Sequence, residues 1–198
     1  MNNSLHKRIL AISYKHKLSH IGSCITAVDI IDEIYKKKKP DEKFVLSSGH
    51  AGVALYTVIE KYEGIDAEKI LKHHGTHPDR CRECHIDCSS GSLGNGLPIS
   101  IGMALSDRTK NVYCLISDGE CSEGSISESI NVLKREKISN LKLYINYNGW
   151  GAYGKIDKSI LPISGKLYET NVNDYPFLDG QKGHYHILTK EEYEAAIF

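Results

Sequence analysis

Apolar residues Leu5, Ile9 and Ile12 recur three or four positions apart with basic residues between them, which predicts an amphipathic helix at the start of the chain. A polar break follows at residues 19–23. Thr26 with Asp29 three positions on reads as a helix-start box for a second helix, which carries Val28, Ile30, Ile31, Ile34 and Tyr35 and ends in a lysine run before Pro40. Residues 44–48 read as a short strand, and residues 51–62 return to helical spacing until Gly64 stops them. Residues 72–92, rich in His, Cys and Gly, show no period. They are expected to form a functional loop, because a structureless stretch of that length in a compact chain usually has a function. A helix is expected over 98–106, with Pro98 early, where it is tolerated.

The clearest unit spans residues 111–148. Residues 112–117, VYCLIS, are continuously apolar, as a strand buried on both faces should be. Ser125 with Glu128 makes a capping box for a helix carrying Ile126, Ile130 and Leu133, and residues 141–147, LKLYINY, form the next strand. Strand, helix and strand in that order form a parallel, right-handed βαβ unit. The expected fold is therefore α/β, a mostly parallel sheet flanked by helices on both faces, in one domain over residues 1–198. Past residue 150 only short strand-like pieces and a terminal helix over 191–198 are expected, without repeat or linker.

Composition narrows the classes. Lys plus Arg and Asp plus Glu both number 25, so the formal net charge is zero and a strongly basic nucleic-acid binder is not expected. The lysines at 36–39 suit a helix C-terminus. No apolar run approaches a membrane span, and the first residues lack a signal-peptide core. Six cysteines without an export signal read as reduced thiols in the cytoplasm.

Parallel strands place Asp118 and Asn148, each just past a carboxyl strand end, on the sheet edge where open α/β folds bind ligands. A carboxylate, an amide oxygen and a nearby main-chain carbonyl are hard donors that suit Mg²⁺ shared with phosphate oxygens. Taken alone, Asp118-Gly119 and Asn148-Gly149 read equally as ordinary turns.

They do not stand alone. Asp118-Gly119-Glu120 followed thirty residues later by Asn148 resembles the thiamine-diphosphate signature, with Ser117 in place of its first glycine. Ser19-His20-Ile21-Gly22-Ser23, Ala27-Val28-Asp29-Ile30, the FVLSSGH run at 44–50, His77-Pro78, the GSLGNGL run at 91–97, Glu123-Gly124 and Asn140-Leu141 are similar to transketolase motifs, in the same order. The chain thus resembles the N-terminal, diphosphate-binding half of a transketolase, trimmed at its C-terminal end like the small split transketolase-like subunits.

That resemblance implies roles. Asp118, Asn148 and the Trp150 main chain would hold Mg²⁺, and Gly119 would allow close approach of the diphosphate of thiamine diphosphate. His50 would bind the diphosphate. Gly91 and Leu93 would form the wall under the aminopyrimidine, and His184, in a Gly-His-Tyr-His stretch, would be a further cofactor-proximal histidine. His20 and His77 would face the sugar or sugar-phosphate substrate and assist proton transfers. Glu123 would lie at a subunit interface and couple to the partner's site. The glutamate that activates the aminopyrimidine has no counterpart here, which implies a second transketolase-like subunit carrying the pyrimidine-binding and C-terminal domains, in an α₂β₂ assembly. Two-carbon ketol transfer is the implied reaction. Another thiamine-diphosphate carboligase or decarboxylase, or a non-catalytic partner-binding relative, are the alternatives. A nicotinamide site fails, because the glycines at 91, 94 and 96 neither follow a strand nor match G-x-G-x-x-G.

Cys81-x-x-Cys84-x-x-x-Cys88 with His77 and His85 nearby has the residue types of a tetrahedral zinc set. No second Cys-x-x-Cys completes it, so a polar loop with free thiols is the favoured expectation.

Overall fold

A computed structural model describes residues 3–162 and 164–197. Two N-terminal helices, α1 (Asn3–His16) and α2 (Ile21–Lys37), lead into β1 (Lys43–Leu46), α3 (Gly52–Glu63) and α4 (Ala67–His74). After a long loop come α5 (Gly96–Ser106), β2 (Val112–Ser117), α6 (Gly124–Arg135) and β3 (Leu141–Tyr147). A two-stranded hairpin, β4 (Trp150–Gly151) and β5 (Gly154–Lys155), precedes β6 (Lys166–Glu169), α7 (Lys182–Tyr185) and α8 (Lys190–Ile197). The main sheet has the order β1-β2-β3-β6 and every pairing in it is parallel.

Side-chain alternation builds the layers. In β1 and β2, Phe44, Leu46, Tyr113 and Leu115 pack with α1, α2 and α3, whereas Val45, Val112, Cys114 and Ile116 face α5 and α6. In β3, Tyr144 takes the first face, and Leu143 and Ile145 the second. Successive residues of a strand point to opposite sides, so helices on both faces require the unbroken apolar runs seen in the sequence. Each fully buried Ile or Leu contributes about 1.5–3 kcal/mol of burial. No described helix is long and apolar enough to cross a membrane.

Several sequence expectations are corrected. Helix α2 starts at Ile21, so Thr26 lies inside it, and its Oγ1 donates back to the Gly22 carbonyl at 3.0 Å instead of capping. Ser125 likewise lies within α6, and its hydroxyl donates to the Gly94 carbonyl at 3.0 Å; the residue before α6 is Glu123, with no side-chain cap. Helix α4 is an element that the sequence pattern does not announce. It is capped by Asp66, whose Oδ1 accepts from Lys69 N at 2.8 Å, and it carries the start of the expected loop as far as His74. Strand β1 ends at Leu46, and the terminal helix begins at Lys190, with Phe198 outside the described residues. The crossover from β3 to β6 runs through the β4–β5 hairpin and a 3₁₀ turn at Lys158–Ile160, with no α-helix among the described residues.

Candidate cofactor site

Strands β2 and β3 are in register with Ser117 opposite Asn146, and the Asp118 amide continues the ladder by donating to the Asn146 carbonyl at 2.9 Å. Asp118 and Asn148 therefore leave the sheet together. The Asp118 carboxylate is buried. Its Oδ2 accepts from Asn148 N at 3.1 Å and Gly149 N at 2.7 Å, and its Oδ1 accepts from Gly119 N at 2.9 Å. Asn148 Oδ1 accepts from Trp150 N at 2.9 Å. Burial raises the Asp118 pKa against these amides, which lower it. A cation beside it would relieve that desolvation.

A cavity of about 210 Å³ opens at this carboxyl edge. His20, His50, His77, Gly91, Leu93, Asp118, Gly119, Asn148, Trp150 and His184 all line it. Of the site residues expected from the sequence, Glu123 alone stays outside. It is exposed ahead of α6, against the Gly94 turn.

Close backbone contacts assemble the wall. Gly22 in α2 meets Gly183 in α7 so tightly that a Cβ on Gly22 would lie 2.7 Å from Gly183 Cα. That contact seats α7, so that the His184 carbonyl accepts the His20 amide at 2.9 Å and His184 Nε2 lies 3.2 Å from the Trp150 carbonyl. A Cβ on Gly49 would fall 2.5 Å from the Ser90 backbone, which docks the long loop onto the turn bearing His50. A Cβ on Gly119 would meet only Gly151 Cα, at 3.7 Å, so this face of the Asp118-Gly119 turn is free of close contacts.

Three imidazoles form a triangle. Ring centroids are 5.1 Å apart for His20–His50, 6.0 Å for His20–His184 and 6.1 Å for His50–His184. His20 has a left-handed backbone (φ 59°), and its Nδ1 is buried without a hydrogen-bond partner among the described residues. Such a conformation outside glycine is uncommon and points to a functional constraint. Burial, then the neighbouring histidines, lower the pKa of His20, and the same causes lower His50 to about 3. Both are therefore neutral in the free protein, and an anion in the cavity would oppose both causes.

Sequence reasoning passed over several residues. Glu120 is fully buried, and its carboxylate accepts from Ser47 Oγ at 2.6 Å, Ser117 N at 2.9 Å and Gly94 N at 3.0 Å, tying together the three segments that frame the cavity. Asn146 lines the cavity, donates to Thr26 Oγ1 at 3.0 Å and accepts from Thr170 Oγ1 at 2.6 Å. An amide following the apolar run Leu143–Ile145 of this strand was the available signal. Asn140 has a structural role: its Nδ2 lies 2.8–3.1 Å from the carbonyls of Ala104, Asp107 and Lys110, closing the turn before β2. Of the cysteine loop, Cys81 and Cys84 come together with His74. Cys88 is buried in the α5–α6 layer and His77 faces the cofactor cavity, so the three-cysteine set with His77 does not form.

The oxygen donors, the glycine-shaped walls and the unpartnered His20 nitrogen together fit a metal-bound diphosphate. An all-parallel sheet with such a cavity at its carboxyl edge defines a diphosphate-cofactor-binding α/β domain. The family described as "Transketolase, thiamine diphosphate binding domain" matches residues 7–171, and the chain belongs to it. The chain is 33% identical over 153 residues to the transketolase of Pongo abelii, covering 67% of this chain and 24% of the relative. It is 30% identical over 165 residues to one subunit of the apulose-4-phosphate transketolase of Phocaeicola vulgatus (72% and 57%). Against the 6-deoxy-6-sulfo-D-fructose transketolase subunit SqwG of a Clostridium species it is 31% identical over 166 residues (74% and 60%). The chain thus spans between a quarter and three fifths of these relatives' lengths. In fold it is similar to the transketolase of Leishmania mexicana, with a TM-score of 0.64 and 20% identity over 77% of this chain and 28% of that one.

Proposed function

We propose that this chain is the diphosphate-side subunit of a split transketolase-type transferase that moves a two-carbon ketol unit between sugar or sugar-phosphate substrates. The observation that carries this reading is the convergence of motif positions from separate stretches of sequence, His20 to His184, on one cavity at the carboxyl edge of the sheet. In this reading Asp118, Asn148 and the Trp150 carbonyl hold Mg²⁺, and His50 and Gly119 receive the diphosphate of thiamine diphosphate. Gly91 and Leu93 support its rings. When bound, thiamine diphosphate would supply the electron sink that carbon–carbon cleavage and transfer need. His20 and His77 hold and move protons at the substrate hydroxyls, and His184, seated against Trp150, keeps the third imidazole over the cavity.

Completion by a second polypeptide is supported by the printed names of two relatives, which describe subunits. It is also supported by apolar side chains left open near the cavity rim and on α5: Tyr153 is 98% exposed, Tyr185 59% and Ile99 41%. Exposed aromatic and aliphatic residues of this kind suit an interface. An α₂β₂ assembly would give Glu123 a place between subunits. A reducing compartment such as the cytoplasm belongs to the same reading, on the cysteine content of the sequence alone. The test is calorimetry of the chain with thiamine diphosphate and Mg²⁺, then a ketol-transfer assay with and without a co-expressed pyrimidine-domain partner. Magnesium-dependent binding with transfer only in the mixture is expected. Absence of cofactor binding both alone and in the mixture would refute the reading.

A further inference from the structure

We propose that His74, Cys81, Cys84 and Glu83 form a zinc site that clamps the long loop to the end of α4, separate from the cofactor cavity. The ligand atoms of His74, Cys81 and Cys84 lie within 4.8 Å of one another, and all three side chains are half-buried. His74 Nε2 is buried with no hydrogen-bond partner among the described residues, an orphaned polar atom that a metal would satisfy. Tetrahedral Zn²⁺ at about 2.3 Å from sulfur and about 2.0 Å from nitrogen needs ligand atoms about 3.5–3.8 Å apart, so closure requires a shift of at most about an ångström.

The backbone is shaped for it. The turn from Cys81 to Ile86 is closed by Cys81 N to Ile86 O at 2.9 Å and Ile86 N to Cys81 O at 2.8 Å, with His85 N donating to Arg82 O at 3.1 Å. His85, the residue after the second cysteine, is left-handed (φ 55°). This tight reversal keeps both thiols of the Cys-x-x-Cys on one side. Glu83 Oε2 lies 3.4 Å from Cys81 Sγ but outside the cluster that the His74, Cys81 and Cys84 ligand atoms form, and rotation of this exposed side chain would bring it in as the fourth ligand. Two thiolates, an imidazole and a carboxylate favour zinc over the hard cations that suit an all-oxygen site. Binding releases both thiol protons to solvent, and the ion's charge balances the two thiolates. His74 ends α4 three residues before His77, so the clamp would fix the start of the segment that brings His77, Gly91 and Leu93 to the cofactor cavity.

The test uses the full chain, purified reduced and without chelator, and no cofactor. Elemental analysis is expected to give one zinc per chain. Replacement by Co²⁺ is expected to give thiolate-to-cobalt charge-transfer bands and intense tetrahedral d–d bands. Competition with a chromophoric chelator should show at least a hundred-fold weaker zinc binding in Cys84→Ser and His74→Gln, and a smaller loss in Glu83→Gln. Cys121→Ala, away from the loop, should bind like the parent. A chain that takes up no zinc, or that binds cobalt without thiolate bands, overturns the assignment. The cobalt spectrum of the unmutated chain decides the matter even if a variant fails to fold.

Discussion

The carboxylate of Glu120 and the hydroxyl of Ser47 meet at 2.6 Å in the interior, where the ends of β1 and β2 approach the loop before α5. Burial raises the Glu120 pKa, and the donors from Ser47, Ser117 and Gly94 lower it. The carboxylate thus serves as a pin between the segments bearing His50, Leu93 and Asp118.

Removing that pin should be costly. Glu120→Ala strands three buried donors, and a loss of about 3–5 kcal/mol is expected from precedents for breaking buried charged networks. Glu120→Gln keeps one acceptor oxygen and should lose less. Urea unfolding followed by circular dichroism measures both, and a loss below about 1 kcal/mol for Glu120→Ala would mean that water replaces the network.

The histidine triangle should make the free protein acid-sensitive. His50 is held at about 3 in the fold, below its ordinary value of about 6.5, so the unfolded chain binds a proton that the folded one refuses between those values. A depressed histidine therefore contributes stability above about pH 6.5 that is lost as pH falls toward about 3. His20 is shifted in the same direction and adds to the slope. Denaturant midpoints at about pH 8 and about pH 5 should differ less in His50→Asn than in the parent. An unchanged difference would show that His50 is not the half-buried neutral group described.

Asp118→Asn separates charge from scaffold. The substitution keeps an acceptor for the Gly149 and Asn148 amides but removes the one carboxylate among the described residues that line the cavity. A ligand at a hundred times its Kd stabilises by about 2.7 kcal/mol, and the variant should lose most of that shift with thiamine diphosphate and Mg²⁺. Differential scanning fluorimetry with and without cofactor reads this directly. A full shift in the variant would remove Asp118 from the metal assignment. Because the Asp118 pKa is raised, metal-dependent binding should weaken on acidification sooner than for an ordinary carboxylate.

The βαβ unit and the Asp118–Asn148 edge were legible because strand period and parallel topology are local and strong signals. The same short-range reasoning mislocated two helix starts. Thr26 and Ser125 have cap chemistry, but the Thr26 hydroxyl bonds the Gly22 carbonyl one turn back in its own helix and the Ser125 hydroxyl bonds Gly94, a partner set by the tertiary fold. Glu120 read as a turn residue because nothing in the sequence shows that Ser47 and Gly94 close over it. Nor could spacing show that Cys81 and Cys84 turn toward His74 rather than toward Cys88 and His77. Past β3, a hairpin replaces the usual crossover helix, so periodicity had nothing to detect.

Gly22→Ala tests the contact that seats His184. On propensity alone, alanine inside α2 should stabilise by up to about 1 kcal/mol. The structure predicts the opposite sign. The new Cβ would lie 2.7 Å from Gly183 Cα and 3.2 Å from its carbonyl oxygen, both backbone atoms that cannot rotate aside. Overpacking of this kind costs about 1–3 kcal/mol, or α7 moves away. If α7 moves, the His184 carbonyl leaves the His20 amide and His184 Nε2 leaves the Trp150 carbonyl. Trp150 is the single tryptophan of the chain, so its fluorescence reports that displacement. Gly102→Ala is the control, since α5 offers a Cβ there open space with no atom within 4 Å, and propensity should prevail. The expected result is a stabilised Gly102→Ala beside a destabilised Gly22→Ala with shifted Trp150 emission and weaker cofactor binding. Equal stabilisation of both variants would show that α2 and α7 are not in close contact, and that His184 is not seated by them.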